Sequence, residues 1–239
     1  MLCSHIKFSA LMACFCSVAM MTTIYAEDAL PPSTFANQAN DEGVFIVTAY
    51  RSFNGRAKNG SETVLNALRS QPDLNQVQFY VLDVGWKQVD EFMQQKIRGK
   101  NIRGIIGLGE GYQGVVAVEL FGKNSMVGVD EFGIEGDGAI IANGKPIRIR
   151  SRLQYTLNEH LDYPLPVLFS TNAGDFLCNY LLYHCNNTTI PVSGFIHVPP
   201  QGNVTDANYL QTTLTIVHDL LRQNNIRRKS VQTAITPLH

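Results

Sequence analysis

From residue 45 onward, short apolar runs alternate with segments whose apolar residues recur every three or four positions. FIVTAY (45–50), FYVLDV (79–84), RGIIGLGEG (103–111), VVAVELF (115–121), PVLFST (166–171) and VSGFIHV (192–198) read as strands. SETVLNALRS (61–70), WKQVDEFMQQKIRG (86–99), residues 173–185 and residues 205–224 read as helices between and after them. Such alternation leaves few folds open. A helix after a strand returns the chain to the edge where the strand began, so the next strand runs parallel to it. The expectation is a three-layer α/β/α sandwich around a mixed, mainly parallel twisted sheet. Residues 122–160 lack the rhythm and read as hairpins with a short helix, which adds antiparallel pairing in the middle. Functional groups in such sheets gather at strand ends and in the loops that follow.

With 239 residues, 45% hydrophobic and only 16% charged, the chain suits one domain with a sizeable core and not a disordered protein. Its first 26 residues differ from the rest. Lys7 precedes the apolar run FSALMACFCSVAMM (8–21), and Ala26 is a small residue before a cleavage point. The run is shorter than the roughly 18 residues of a spanning helix, so 1–26 reads as a signal peptide. Residues 27–42, polar and proline-bearing, read as a linker, and 43–239 as the domain. The expectation is an exported protein, periplasmic or secreted, with no membrane segment after cleavage. Loss of Lys7 with the leader leaves 18 basic and 20 acidic residues, a net charge of −2. That balance gives no reason to expect a nucleic-acid partner; RRK (227–229) reads as a solvated helix end.

Cys3, Cys14 and Cys16 fall in the leader, which leaves Cys178 and Cys185. Seven positions apart on one helix, their Cα atoms are separated by roughly 10 Å. A disulfide needs less than about 7 Å. An exported domain whose two thiols cannot bridge either buries them or uses one, and the spacing alone does not choose. Cys178 lies within the first two turns of its helix, where backbone amides favour a thiolate. The surrounding FLCNYLLYHC is apolar almost all round, which fits core packing equally.

His197 ends the strand VSGFIHV, stopped at once by Pro199 and Pro200, and so is expected on its rim. A structural histidine and a general base both fit. Glu119 interrupts the otherwise apolar VVAVELF, and a carboxylate there needs a cation or a donor. Arginine, lysine or a histidine ring N–H would serve. A cysteine, a histidine and a carboxylate form a nucleophile, its base and the group that orients the base. GLGEG lacks the glycine pattern of a dinucleotide site, and His160, His184 and His218 show no metal-ligand spacing.

These residues resemble the pyroglutamyl peptidase I family of cysteine peptidases. STNAGDFLCNYLLY (170–183) is similar to the family's S-x-x-A-G-x-[FY]-x-C-N-x-x-x-Y nucleophile segment, GFIHVP (194–199) to its histidine segment, and VELFGKN (118–124) to its E-R-V-A-x-N, with Asn124 at the Asn position. TAYRSFNGRAKNGS (48–61) resembles T-G-F-x-P-F-G-x-x-x-x-N-P-S. The departures lie around the pocket. TGF is TAY, Ser52 and Gly60 stand where the family has proline, GLGEGYQG stands for G-Q-A-G-G, and EFGIEGDGAII stands after the third segment.

The resemblance implies an exopeptidase that removes N-terminal 5-oxoproline from peptides. Cys178 is then the nucleophile, His197 the general base and Glu119 the third member. Tyr50, Phe53, Asn59 and Phe176 bind the substrate, the aromatic residues sandwiching the flat ring. The Tyr50 hydroxyl would find a partner in Asn59 or in the ring carbonyl of the ligand. Helix-start and glycine-turn amides would hold the oxyanion. No metal or cofactor is implied, and a homo-oligomer is compatible with the reading. Two alternatives stay open: a cysteine hydrolase of this fold with another small N-terminal or amide substrate, and a binding protein that retains the triad.

Overall fold

The computed structural model describes residues 43–140, 145–153, 165–200, 202 and 206–233, with side chains as far as Asn224. The expected leader (1–26) and linker (27–42) lie outside these residues, as does His160. In chain order the elements are β1 (Val44–Tyr50), α1 (Gly60–Leu68), β2 (Val77–Leu82), α2 (Trp86–Phe92), β3 (Ile102–Glu110), β4 (Val116–Glu119) and β5 (Phe121–Lys123). Then follow β6 (Met126–Val129), β7 (Glu135–Gly138), β8 (Arg148–Arg150), β9 (Val167–Ser170), α3 (Leu177–Asn186), β10 (Val192–Val198) and α4 (Ala207–Thr233). No described helix is long and apolar enough to cross a membrane.

Six strands form the main sheet in the order β2-β1-β3-β10-β4-β9, while β5–β8 and β6–β7 are separate two-stranded ribbons. Every pair in the main sheet is parallel except β10–β4. The expected mixed, mainly parallel sheet is what the structure contains. Successive side chains on a strand point to opposite faces, and this divides the core in two. Val47, Ile106, Leu108, Val118, Ile196 and Val198 pack with α1 and α4 on one face. Ile46, Ile105 and Phe195 pack with α2 and α3 on the other. These are the three layers.

The last helix runs on to Thr233, past the expected 224, and two others differ from the sequence expectation in geometry or start. α2 gives way at Met93–Ile97 to a π-helical turn, and Gly99, at φ 69°, ends the segment in a conformation that costs glycine nothing. The helix expected over 173–185 begins only at Leu177. Gly174 at φ 81° and a turn in which the Ser170 hydroxyl accepts from the Asn172 amide keep 171–176 out of helical geometry. Cys178 therefore stands in the first turn of α3, closer to the helix start than expected.

Candidate active site

The antiparallel joint between β10 and β4 builds half of the site. Phe195 pairs with Glu119 and His197 with Ala117, so His197 and Glu119 are diagonal neighbours on one face of the sheet. Side chains at that diagonal reach each other. The His197 Nδ1 and Glu119 Oε1 atoms are 2.8 Å apart. Glu119 is wholly buried, and its Oε2 has no hydrogen-bond partner among the described residues. Its need for a donor is met by the histidine, not by the arginine or lysine that also fitted the sequence. His197 is not on an open rim: it is 7% exposed, covered by the elements around it.

The other half comes from α3, packed over the same face. Cys178 also acts on the His197 ring, and with Nδ1 taken by Glu119 the nitrogen left for the sulfur is Nε2. Burial by itself pushes the His197 imidazole down. Neighbouring Cys178, and then Glu119 with its hydrogen bond, outweigh it and raise the ring to about 10. Cys178 is half-buried. Phe176, the residue that precedes α3, offers no side-chain cap to the first-turn amides of the helix. In the glycine segment the Gly111 amide donates to Val198 O and so serves the sheet.

What β3 contributes is space. A Cβ on Gly109 would stand 2.7 Å from Cys178 Sγ, and one on Gly111 2.5 Å from His197 Cβ. Gly107, on the same face, would meet the Phe195 ring at 2.4 Å. Three glycines at alternate positions of an apolar strand are the signal that marks this role. Asn179 is a second residue without a role in the sequence reading. Fully buried, it accepts from Lys123 N and donates to the carbonyls of Lys123 and Ser125. It thereby ties the neighbour of Cys178 to the segment that follows Glu119. Lys123 also pairs with Asp175 at 2.8 Å and, as donor, holds that carboxyl below its ordinary range.

The expected substrate residues separate into two groups. Phe53, Phe176 and Cys178 are partly buried against one apolar cluster, and Trp86 meets Phe176 edge-on at 5.1 Å. Tyr50 and Asn59 are spent on the fold. The Tyr50 hydroxyl donates to Leu177 O at 2.7 Å, not to Asn59 or outward to a ligand. Burial, with nearby Cys178, pushes its ionisation well up. Asn59 caps α1 by accepting from Ser61 N and donates to Arg51 O, which uses its amide on backbone at 1% exposure.

Cys185 is buried and pushed up to about 12 by that burial, a core thiol. Among the described residues no group of three or more His, Cys, Asp or Glu side chains is arranged to hold a metal ion. A groove of about 920 Å³, with Asp90, Lys100 and His184 in its lining, belongs to the start of β3 and the end of α3. It lies at the end of the strands opposite His197.

A model of the pyroglutamyl peptidase family matches residues 44–218. Three solved structures of pyrrolidone carboxyl peptidase from Pyrococcus furiosus share the fold, each at 21% identity. A glutamate-to-valine variant superposes at a TM-score of 0.63 over 77% of this chain and 98% of its own. An alanine-to-proline variant gives 0.63 over 75% and 97%. The structure described together with its cysteine-free mutant gives 0.62, also over 75% and 97%. No curated protein matches the chain.

Proposed function

The chain is a cysteine-type peptidase of the pyroglutamyl peptidase family, and from that premise we propose that Cys178, His197 and Glu119 remove N-terminal 5-oxoproline from peptides. One observation carries this reading: His197 is bonded to Glu119 through Nδ1, and the Cys178 sulfur stands over Gly109, two positions from the glycine that abuts His197. Cys178 and Glu119 raise the ring to about 10, which makes His197 a strong proton acceptor beside the sulfur. His197 takes the Cys178 proton and so activates the nucleophile.

The Cys178 sulfur attacks the carbonyl carbon that joins the pyroglutamyl residue to the next one. The bond C–S forms as the C=O electrons move onto oxygen, and first-turn amides of α3 receive that oxyanion. One such donor is typically worth about 3 kcal/mol in the transition state. Collapse breaks the C–N bond while His197 Nε2 gives its proton to the leaving amine. Water, losing a proton to His197, then cleaves the thioester and releases pyroglutamate. Glu119 holds the ring in one orientation and stabilises its charge throughout.

Phe53 and Phe176 flank the lactam, which sits flat between apolar surfaces. Tyr50 and Asn59 act behind them, one on the start of α3 and the other on the start of α1. The direct test is release of aminocoumarin from pyroglutamyl-aminocoumarin by the wild type and by Cys178→Ala. Rapid release by the wild type alone is expected; equal rates for the two proteins would contradict the proposal.

A further inference from the structure

Two departures from the family pattern meet in one contact. Laid from Gly107, the fourth glycine-segment position is Glu110 where the family has glycine, and Gly60 stands where it has proline. The Glu110 carboxylate accepts from the Gly60 amide through Oε1 and from Arg56 Nη1 through Oε2. A proline has no N–H to give and a glycine has no carboxylate. Each departure therefore supplies what the other needs.

The contact lies away from the triad but bears on the pocket. Glu110 alternates with Gly109 and Gly111, so its side chain leaves β3 on the face opposite Cys178. There it sits at the amino end of α1, where a carboxylate is favoured. Arg56, drawn to it, lies over the Phe53 ring at 4.1 Å and bonds Phe53 O through Nε. The pair is largely shielded, at 33% and 8% side-chain exposure, so water weakens it little. One carboxylate thus fixes both the middle and the end of the loop that carries Phe53.

We propose that Glu110 is the positioning residue of the substrate loop, holding Phe53 in place through Arg56 and Gly60, in place of the prolines of the family pattern. This rests on the reading of Phe53 as a wall of the pyroglutamyl pocket. Without the carboxylate, residues 53–60 lose two anchors while Cys178, His197 and Glu119 keep theirs. Substrate capture then suffers and chemistry does not.

The experiment compares Glu110→Ala, Arg56→Met and the double variant Glu110→Ala/Gly60→Pro on pyroglutamyl-aminocoumarin. Each of the first two should raise KM about tenfold with kcat within about twofold of the wild type. Proline fits position 60: it is the first residue of α1, and Asn59 before it is extended, at φ −121° and ψ 133°. The double variant should therefore return KM to within about threefold of the wild type. Hydrogen exchange across 53–60, read by mass spectrometry, should quicken at least about tenfold in Glu110→Ala and slow again in the double variant, with α3 unchanged. Unchanged KM, a parallel fall in kcat, or no rescue by proline would overturn the proposal. Should the wild type not cleave the substrate, the pyroglutamyl reading fails by itself. Exchange then decides the tether, and unchanged protection of 53–60 in Glu110→Ala would overturn it.

Discussion

A methyl group built on Gly109 would stand 2.7 Å from Cys178 Sγ and 2.8 Å from the Phe195 ring. β3 has no side chain there because the sulfur occupies that space. In Gly109→Ala the thiol must turn away from His197 or α3 must lift, and a displacement near 1 Å costs about 100-fold in rate. We expect kcat/KM on pyroglutamyl-aminocoumarin to fall at least that far, with overpacking of about 1–3 kcal/mol seen in denaturant unfolding. A fully active Gly109→Ala enzyme would show that the sulfur works from elsewhere.

Glu119→Gln keeps the shape of the buried side chain and removes its charge. The imidazolium loses the carboxylate bonded to its Nδ1. We expect kcat to drop by about 100- to 10,000-fold, clearly but by less than in Cys178→Ala or His197→Ala. Steady-state kinetics on the purified variants decide the order.

The pH dependence follows from His197. Its folded value is raised, to about 10 against an ordinary 6.5. The protonated ring therefore stabilises the fold fully below about 6.5, and this contribution is lost as pH rises through about 10. Activity that needs the imidazolium should keep its alkaline limb near 10. In Glu119→Gln that limb should shift to lower pH. A wild-type limb near 6.5 in a kcat/KM profile would contradict the ion pair.

Much of the site is legible in the residues themselves. VSGFIHV alternates cleanly and stops at two prolines, and Glu119 is conspicuous in an apolar run, so both strands and both side chains can be placed on them. The start of α3 is not legible, since AGDF carries no marker that Gly174 adopts a left-handed backbone. Nor is the role of Gly109, which exists only once α3 is laid over β3. Tyr50 reads as a pocket residue because its hydroxyl partner, Leu177 O, is 127 positions away. Asn59 reads as a ligand contact although its local geometry is that of a helix cap. A long-range hydrogen bond fixed the first outcome and a local cap the second, and no periodicity encodes either.

Tyr50→Phe tests the corrected role of that hydroxyl. It removes a buried bond to the first residue of α3, worth about 1 kcal/mol of stability. KM should stay within about twofold, because the lost group faces the helix and not the substrate. Thermal unfolding with parallel kinetics checks both. A large rise in KM with unchanged stability would return Tyr50 to the pocket wall.

The most direct measurement is alkylation by limiting iodoacetamide at neutral pH, followed by peptide mass spectrometry and residual activity. Cys178 stands half-exposed beside His197, whereas Cys185 is buried and held as a thiol. Label should enter Cys178 first, one equivalent should abolish turnover, and Cys185 should react only after unfolding. Activity that survives complete labelling of Cys178, or faster labelling of Cys185, would contradict Cys178 as the nucleophile.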